Sequence, residues 1–165
     1  MKNNILFLFF IFGFVACTTP FQPFGEFSRD QLENSTHNSW VIENYNAHHL
    51  NEALVSQIDS LFYDIEVTIY MGTWCEDSQR EVPRFFKIID ALEANDQVKT
   101  IVGLNEDKVS HDGSAELAGV TNVPTFVFSK DGEEINRIVE FPIISLEQDI
   151  LSILQERGYK HAYDF

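Results

Sequence analysis

Basic residues are scarce in this chain. Eleven lysines and arginines stand against 26 aspartates and glutamates, which gives a formal net charge of −15 over 165 residues. Such acidity argues against nucleic-acid binding and against electrostatic attraction to anionic lipid, and it is interpreted as a solubilising surface. The length is that of one compact domain, and no internal repeat is visible.

A hydrophobic run long enough to cross a bilayer is also missing. The apolar stretch at residues 5–15 is interrupted only by Gly13, and it is shorter than the roughly 20 residues that a membrane-spanning helix needs. With Lys2 before it, the stretch has the form of a signal-peptide core. Residues 1–16 are therefore predicted to be a signal peptide.

One of only two cysteines lies where this signal ends. Cys17 follows Phe14-Val15-Ala16, and polarity rises directly after it. The pattern resembles a bacterial lipoprotein signal, in which that cysteine is lipidated, although Phe14 stands where leucine is most common. The resemblance implies a lipid anchor in a bacterial cell envelope, facing the periplasm. Ordinary cleavage and secretion, with Cys17 incidental, is the alternative.

The segment after the signal, residues 17–38, is interpreted as a lipidated tether and N-terminal extension. It carries Phe21, Phe24 and Phe27 among prolines and a glycine that oppose a helix. A solvated linker rarely has so many aromatic residues, so these side chains are expected to dock on the domain.

No cysteine other than Cys17 accompanies Cys75 in the sequence. If Cys17 is lipidated, Cys75 is the one free thiol of the exported chain, and it cannot form a disulfide within that chain. Cys75 lies between an apolar strand and a helix, where reactive thiols are commonly found, so it is the candidate nucleophile. The alternative is a small residue without chemistry.

The rest of the pattern alternates between strands and helices. Strands are predicted at residues 39–43, 65–71, 98–104, 125–128 and 134–140, helices at 51–62, 78–94 and 145–156, and a helical turn at 114–118. Asp131-Gly132 is a hairpin signal. This order predicts an α/β fold with a central mixed sheet and helices on both faces.

Three features together resemble the thioredoxin family. Trp74-Cys75-x-x-Ser78 matches its Trp-Cys-x-x-Cys turn except at the last position. Pro83 lies eight residues after the cysteine, where the family's active-site helix carries a proline. Asn122-Val123-Pro124-Thr125 matches the family's cis-proline loop and precedes a hairpin. The likeness covers residues 39–155.

The resemblance implies a thioredoxin-like domain over residues 39–158, with a C-terminal tail at 159–165. It implies that Cys75 reacts with disulfides and that Trp74, Val123 and Pro124 face the substrate. The Val123–Pro124 bond is expected to be cis, which in the family exposes the backbone of the preceding residue to a peptide. Trp74 as a core-edge aromatic and Pro124 as a rigid turn are the structural alternatives.

Two departures from the thioredoxin pattern affect the second half of the dithiol reaction. Ser78 replaces the resolving cysteine, and Ile69 stands where thioredoxins often bury an acid. Attack on a disulfide needs one thiolate, whereas release of the adduct needs a second thiol. The departures therefore predict a monothiol protein that depends on an external thiol.

The reactivity of Cys75 is expected to be moderate. The helix N-terminus favours a thiolate by about 0.3–1 kcal/mol, and the charges of Glu76 and Asp77 oppose it by about 1 kcal/mol. A hydrogen bond donated by the Ser78 hydroxyl to the sulfur is expected to tilt this balance slightly toward the thiolate.

Two functions remain open. One is a membrane-anchored monothiol oxidoreductase or isomerase whose partners are protein thiols or disulfides and an external reductant thiol. The other is a non-redox module that holds a peptide in the cis-proline groove. A cluster-binding glutaredoxin is a distant third, because Glu76 and Asp77 would repel an anionic tripeptide. No cofactor is predicted, and no histidine has metal-ligand spacing with Cys75.

Overall fold

The structure is a computed structural model that describes residues 20–165. Cys17 and the signal at 1–16 lie outside the described residues. Within them, the strands are β1 (Gly25–Phe27), β2 (Ile65–Met71), β3 (Val98–Gly103), β4 (Thr125–Lys130) and β5 (Glu133–Val139). The helices are α1 (Arg29–Glu33), α2 (Ser39–Ala47), α3 (Glu52–Asp59), α4 (Glu76–Ala91), α5 (Ser114–Leu117) and α6 (Leu146–Leu154). No helix in this part of the chain is long and apolar enough to cross a membrane.

The strands form one mixed sheet in the order β1-β3-β2-β4-β5. The pair β2–β3 is parallel, with α4 as its crossover, and the other three pairs are antiparallel. β2 is thus the central strand: its last three residues, 69–71, are buried, whereas Glu66 is exposed and Thr68 partly exposed. The predicted α/β fold with a central mixed sheet is confirmed.

The two faces of the sheet are covered unequally. Successive side chains of a strand point to opposite faces. Ile69 of β2 belongs to the main core, which also holds buried residues from α1, α2, α3, α4 and α6. Its neighbour Tyr70 packs with Val102 and with Ala115 of the short helix α5. Helices therefore lie on both faces, as predicted, but one face carries only a single turn of helix.

The predicted strand at 39–43 is wrong, because these residues begin α2. Val41 is buried, whereas Ile42 beside it is 65 % exposed. Val41 and the partly buried Tyr45 both contact the core, a spacing of four that fits a helix lying against α4. Tertiary packing thus overrides the β-propensity of a short Trp-Val-Ile run.

The outer strand of the sheet instead comes from the N-terminal extension. β1 pairs antiparallel with β3, with Gly25 opposite Gly103. The expected docking of the phenylalanines is confirmed for Phe27, which is buried, and for Phe21, which packs against the core. Phe24 remains half exposed.

Helix α4 begins two residues before the predicted start, with Cys75 as its N-cap residue. Val82, Phe85, Phe86 and Ile89 are buried along its inner face, and the ring of Phe85 packs against Phe126 of β4 with centroids 4.7 Å apart. This packing sets the start of α4 at the carboxyl end of β2.

Candidate functional site

Cys75 lies at the junction between β2 and α4, and it is partly exposed. Its backbone is extended, as is usual for an N-cap residue, and its carbonyl oxygen accepts the N–H of Gln79 at 3.0 Å. The sulfur lies 3.2 Å from the carbonyl oxygen of Val123 and donates its proton there. The thiol is therefore presented at a helix N-terminus and against a second loop.

Ser78 is placed differently from the expectation. It is fully buried, and its hydroxyl oxygen accepts the backbone N–H of Gly72 at 3.3 Å. The predicted hydrogen bond from Ser78 to the sulfur of Cys75 is wrong: within residues 20–165, the Ser78 hydroxyl pairs with Gly72 and the sulfur with Val123. Ser78, the third residue of α4, points toward the end of β2, whereas the sulfur of Cys75, the N-cap residue, points toward Val123.

The indole of Trp74 is fixed on both its edge and its face. Its N–H donates to the carbonyl oxygen of Leu104 at 2.8 Å. A methyl group added at Gly72 would come within 2.4 Å of the ring, so the ring lies directly against that glycine. Trp74 stays partly exposed while packing against the smaller apolar cluster, which contains Val123 and Val127. The core-edge interpretation thus describes its packing, and the substrate-facing role stays a prediction.

The Val123–Pro124 peptide bond is cis, as predicted. Val123 is only 3 % exposed, and its carbonyl oxygen is occupied by the thiol. A peptide that pairs with this carbonyl would approach the sulfur of Cys75 directly.

A third loop, not anticipated from the sequence, adjoins the site. The N–H of Glu140 donates to the carbonyl oxygen of Pro124 at 2.7 Å, and Glu140 has a left-handed φ of 67°. Its carboxylate accepts hydrogen bonds from Asn122 and from the hydroxyl of Tyr163 in the C-terminal tail. In the sequence, this loop could have been recognised from the apolar run Phe141-Pro142-Ile143-Ile144, which lies just before the N-cap residue of α6.

The charges at the start of α4 are partly compensated. Asp77 is paired with Arg80, whose Nε also donates to the buried Glu81 at 2.6 Å. Burial alone would lower the pKa of Arg80, but the hydrogen bonds to Glu81 and Asp77 raise it. Glu76 remains exposed and is the carboxylate left to oppose a thiolate at Cys75.

Ile69 is fully buried in the main core, on the face of β2 opposite Tyr70. Among residues 20–165, no group of three or more histidines, cysteines, aspartates or glutamates could hold a metal ion.

The chain was compared with known proteins. No protein-family model matches it. The thioredoxin of Chlamydia caviae is 31 % identical over 70 residues, which are 42 % of this chain and 63 % of that protein. The match thus spans less than two thirds of that relative. The crystal structure of mitochondrial thioredoxin 3 from Saccharomyces cerevisiae, oxidized form, is 29 % identical and covers 58 % of this chain and 86 % of that one, with a TM-score of 0.36.

Proposed function

We propose that this chain, whose sequence match supports the thioredoxin-like superfamily, exchanges thiols and disulfides of exported proteins through Cys75 alone while Cys17 anchors it to a membrane. The observation that carries the proposal is the position of Cys75. It is a partly exposed thiol at the start of a long helix, in hydrogen-bond contact with the loop of a cis-proline.

The reaction begins with attack on a substrate disulfide. The Cys75 thiolate forms a bond to one substrate sulfur while the substrate S–S bond breaks. The second substrate sulfur leaves as a thiolate and takes up the proton that Cys75 released. The product is a mixed disulfide between Cys75 and the substrate.

Release of this adduct requires a thiol from outside the chain. Ser78 has no sulfur, and its hydroxyl oxygen is turned to the N–H of Gly72. If two external thiols resolve the adduct in turn, one disulfide is reduced and one disulfide of the external thiol is formed. If another thiol of the substrate attacks instead, the substrate disulfide is isomerised without net redox change.

Charged groups of both signs lie at the start of α4, beside Cys75. The N–H groups at the start of α4 stabilise negative charge, and Arg80 offsets the charge of Asp77. The exposed carboxylate of Glu76 repels negative charge at this helix start. The hydrogen bond to Val123 must also be given up, because a thiolate has no proton to donate.

The test is to trap the adduct. Cells producing the full-length chain are acid-quenched, free thiols are blocked, and Cys75 adducts are identified by mass. We expect mixed disulfides that vanish in Cys75→Ser. In vitro, the Cys17→Ser chain should release one equivalent of thiopyridone from neutral dipyridyl disulfide and hold the adduct until an external thiol is added. A Cys75 that forms no adduct in either assay would refute the proposal.

A second candidate is a peptide-binding module without redox activity. The hydrogen bond from the sulfur to Val123 favours it, since the protonated thiol makes this contact. Serine can donate the same hydrogen bond. Retention of partner binding by Cys75→Ser, together with an unreactive Cys75 in the wild-type chain, would establish this function instead.

A further inference from the structure

A cavity of about 250 Å³ lies beside Trp74, between the N-terminal extension and the loop that follows β3. Pro23 and Phe24 of the extension line it together with Trp74, Leu104 and the exposed Glu106. Ligand pockets for small molecules usually measure about 300–1,000 Å³. This cavity is therefore closer in size to one large side chain.

The wall made by the extension is held in place. The hydroxyl of Thr73 donates to the carbonyl oxygen of Phe21 at 3.1 Å, and β1 continues the sheet from Gly25 onward. A methyl group at Gly103 would lie 2.2 Å from the carbonyl oxygen of Pro23, so the extension passes in direct contact with β3. The cavity is thus formed before any ligand arrives.

The lining suits a side chain with an apolar stem and a cationic end. Pro23, Phe24 and the indole of Trp74 offer apolar and aromatic surface. The exposed carboxylate of Glu106 offers a counter-charge. An indole face attracts cations, and the ammonium of the chain's own Lys108 already lies 5.9 Å from the Trp74 ring centroid.

The surroundings favour a basic partner as well. Glu76 and Asp107 are exposed near this loop and helix start, Lys108 is the nearby basic residue, and the whole chain carries a charge of −15. An acidic surface speeds the approach of basic polypeptides.

We propose that this cavity binds an arginine or lysine side chain that lies next to the reacting cysteine of a substrate polypeptide. The proposal rests on the proposed function, because it assumes that Cys75 reacts with the cysteine of the substrate. Trp74, which lines the cavity, directly precedes Cys75. The cationic end would approach Glu106 and the indole, where it replaces Lys108. The N-terminal extension would thereby set the substrate preference of the thiol.

The test compares short peptides whose cysteine is capped as a disulfide with a neutral pyridylthio group. Arg, Lys, Gln or Glu stands beside that cysteine, and each peptide reacts with the full-length Cys17→Ser chain. We expect the Arg and Lys peptides to react about tenfold faster than the Gln peptide, with Glu slowest. Glu106→Gln should remove most of this preference.

Asp107→Asn is the matched control. It makes the same change of charge one residue away, at a position that does not line the cavity. Rates for every variant are expressed relative to those with dipyridyl disulfide. Equal rates for Arg and Gln peptides, or an equal loss of preference in Asp107→Asn and Glu106→Gln, would overturn the proposal.

Binding provides a readout that does not depend on reactivity or on a variant. The same peptides with an S-methylated cysteine are titrated into the unsubstituted full-length chain while the indole N–H resonance of Trp74 is followed. A shift with the Arg peptide but not with the Gln peptide supports the cavity even if Cys75 is inert. The absence of any difference refutes the cavity whether or not Cys75 reacts.

Discussion

The thiol of Cys75 donates a hydrogen bond to the carbonyl oxygen of Val123, with the sulfur and the oxygen 3.2 Å apart. The candidate nucleophile therefore touches the loop of Pro124 directly, although 48 residues separate the two in sequence. A substrate that pairs with this loop would therefore lie beside the sulfur.

The first prediction concerns the missing thiol. Ser78→Cys should convert a chain with weak or absent insulin reduction into one with measurable turnover, because residues 75 and 78 then form a closable pair in the first turn of α4. The gain should be modest, since Ile69 supplies no acid to deprotonate the second thiol. The thiols that the pre-reduced protein releases from insulin, with no other thiol present, measure it, because an external thiol would resolve the adduct of the wild-type chain as well.

Ser78→Ala is the control for that experiment, because it removes the hydroxyl without adding sulfur. It should leave turnover at the wild-type level and cost about 1 kcal/mol in the free energy of unfolding, through loss of the bond from Gly72. If Ser78→Cys turns over no faster than Ser78→Ala, the two positions do not form a working pair.

The second prediction concerns the support of Trp74. In Gly72→Ala the new methyl group would lie 2.4–2.8 Å from indole atoms, so the ring must move and lose its bond to Leu104. The variant should be destabilised by about 1–3 kcal/mol, as is usual for overpacking. Urea unfolding and the Trp74 indole N–H shift measure these effects.

A double-mutant cycle isolates the clash. In a Trp74→Ala background, Gly72→Ala should be close to neutral, because the group it collides with is gone. An equal loss of stability in both backgrounds would mean that Gly72 is needed for another reason.

The third prediction concerns pH. Burial alone would raise the pKa of Glu147, but hydrogen bonds with His48 and with backbone N–H groups, including that of Asn51, lower it to about 2. Because the folded pKa lies below the usual 4.5, Glu147 stabilises the fold above pH 4.5. This contribution is lost as the pH falls from 4.5 to 2.

Glu147→Gln should therefore be less stable than wild type at pH 7, by about 1–3 kcal/mol, and the difference should shrink between pH 4.5 and 2. Urea unfolding at pH 7, 4 and 3 measures it. The exposed Glu52 in α3 provides the matched control, since Glu52→Gln makes the same chemical change without burial. A difference that stays constant with pH would show that Glu147 is not the group responsible.

The fourth prediction concerns location. If Cys17 carries the lipid, Cys17→Ser should move the protein from the membrane fraction to the soluble fraction, because the acyl chains are its anchor. Cys75→Ser should remain with the membranes. Cell fractionation followed by immunodetection measures the distribution, and a membrane-bound Cys17→Ser protein would disprove the lipoprotein interpretation.

Periodicity predicted most of the elements because their burial pattern repeats along the chain. β2 is central and apolar, and α4 shows its buried stripe at helical spacing. The pattern failed at residues 39–43, where five residues are too few to separate a strand from the first turn of a helix. It also missed β1, since a three-residue edge strand among prolines carries little periodicity.

The sequence by itself determined which groups can react. It sets one thiol at a strand-to-helix turn, a serine three residues later, an isoleucine where an acid is often buried, and a Val-Pro-Thr loop before a hairpin. Residue identity alone decides which reactions are possible, because a serine hydroxyl cannot replace the second sulfur that resolves a mixed disulfide.

Only the tertiary structure decided where those groups point. The Ser78 hydroxyl turns toward Gly72 and not toward Cys75, and the thiol finds its partner in Val123. The extension folds back beside Trp74 to form a cavity. Each of these contacts joins residues on different elements or on opposite sides of a helix start. Their geometry follows from how the sheet and α4 pack together, which local sequence patterns do not encode.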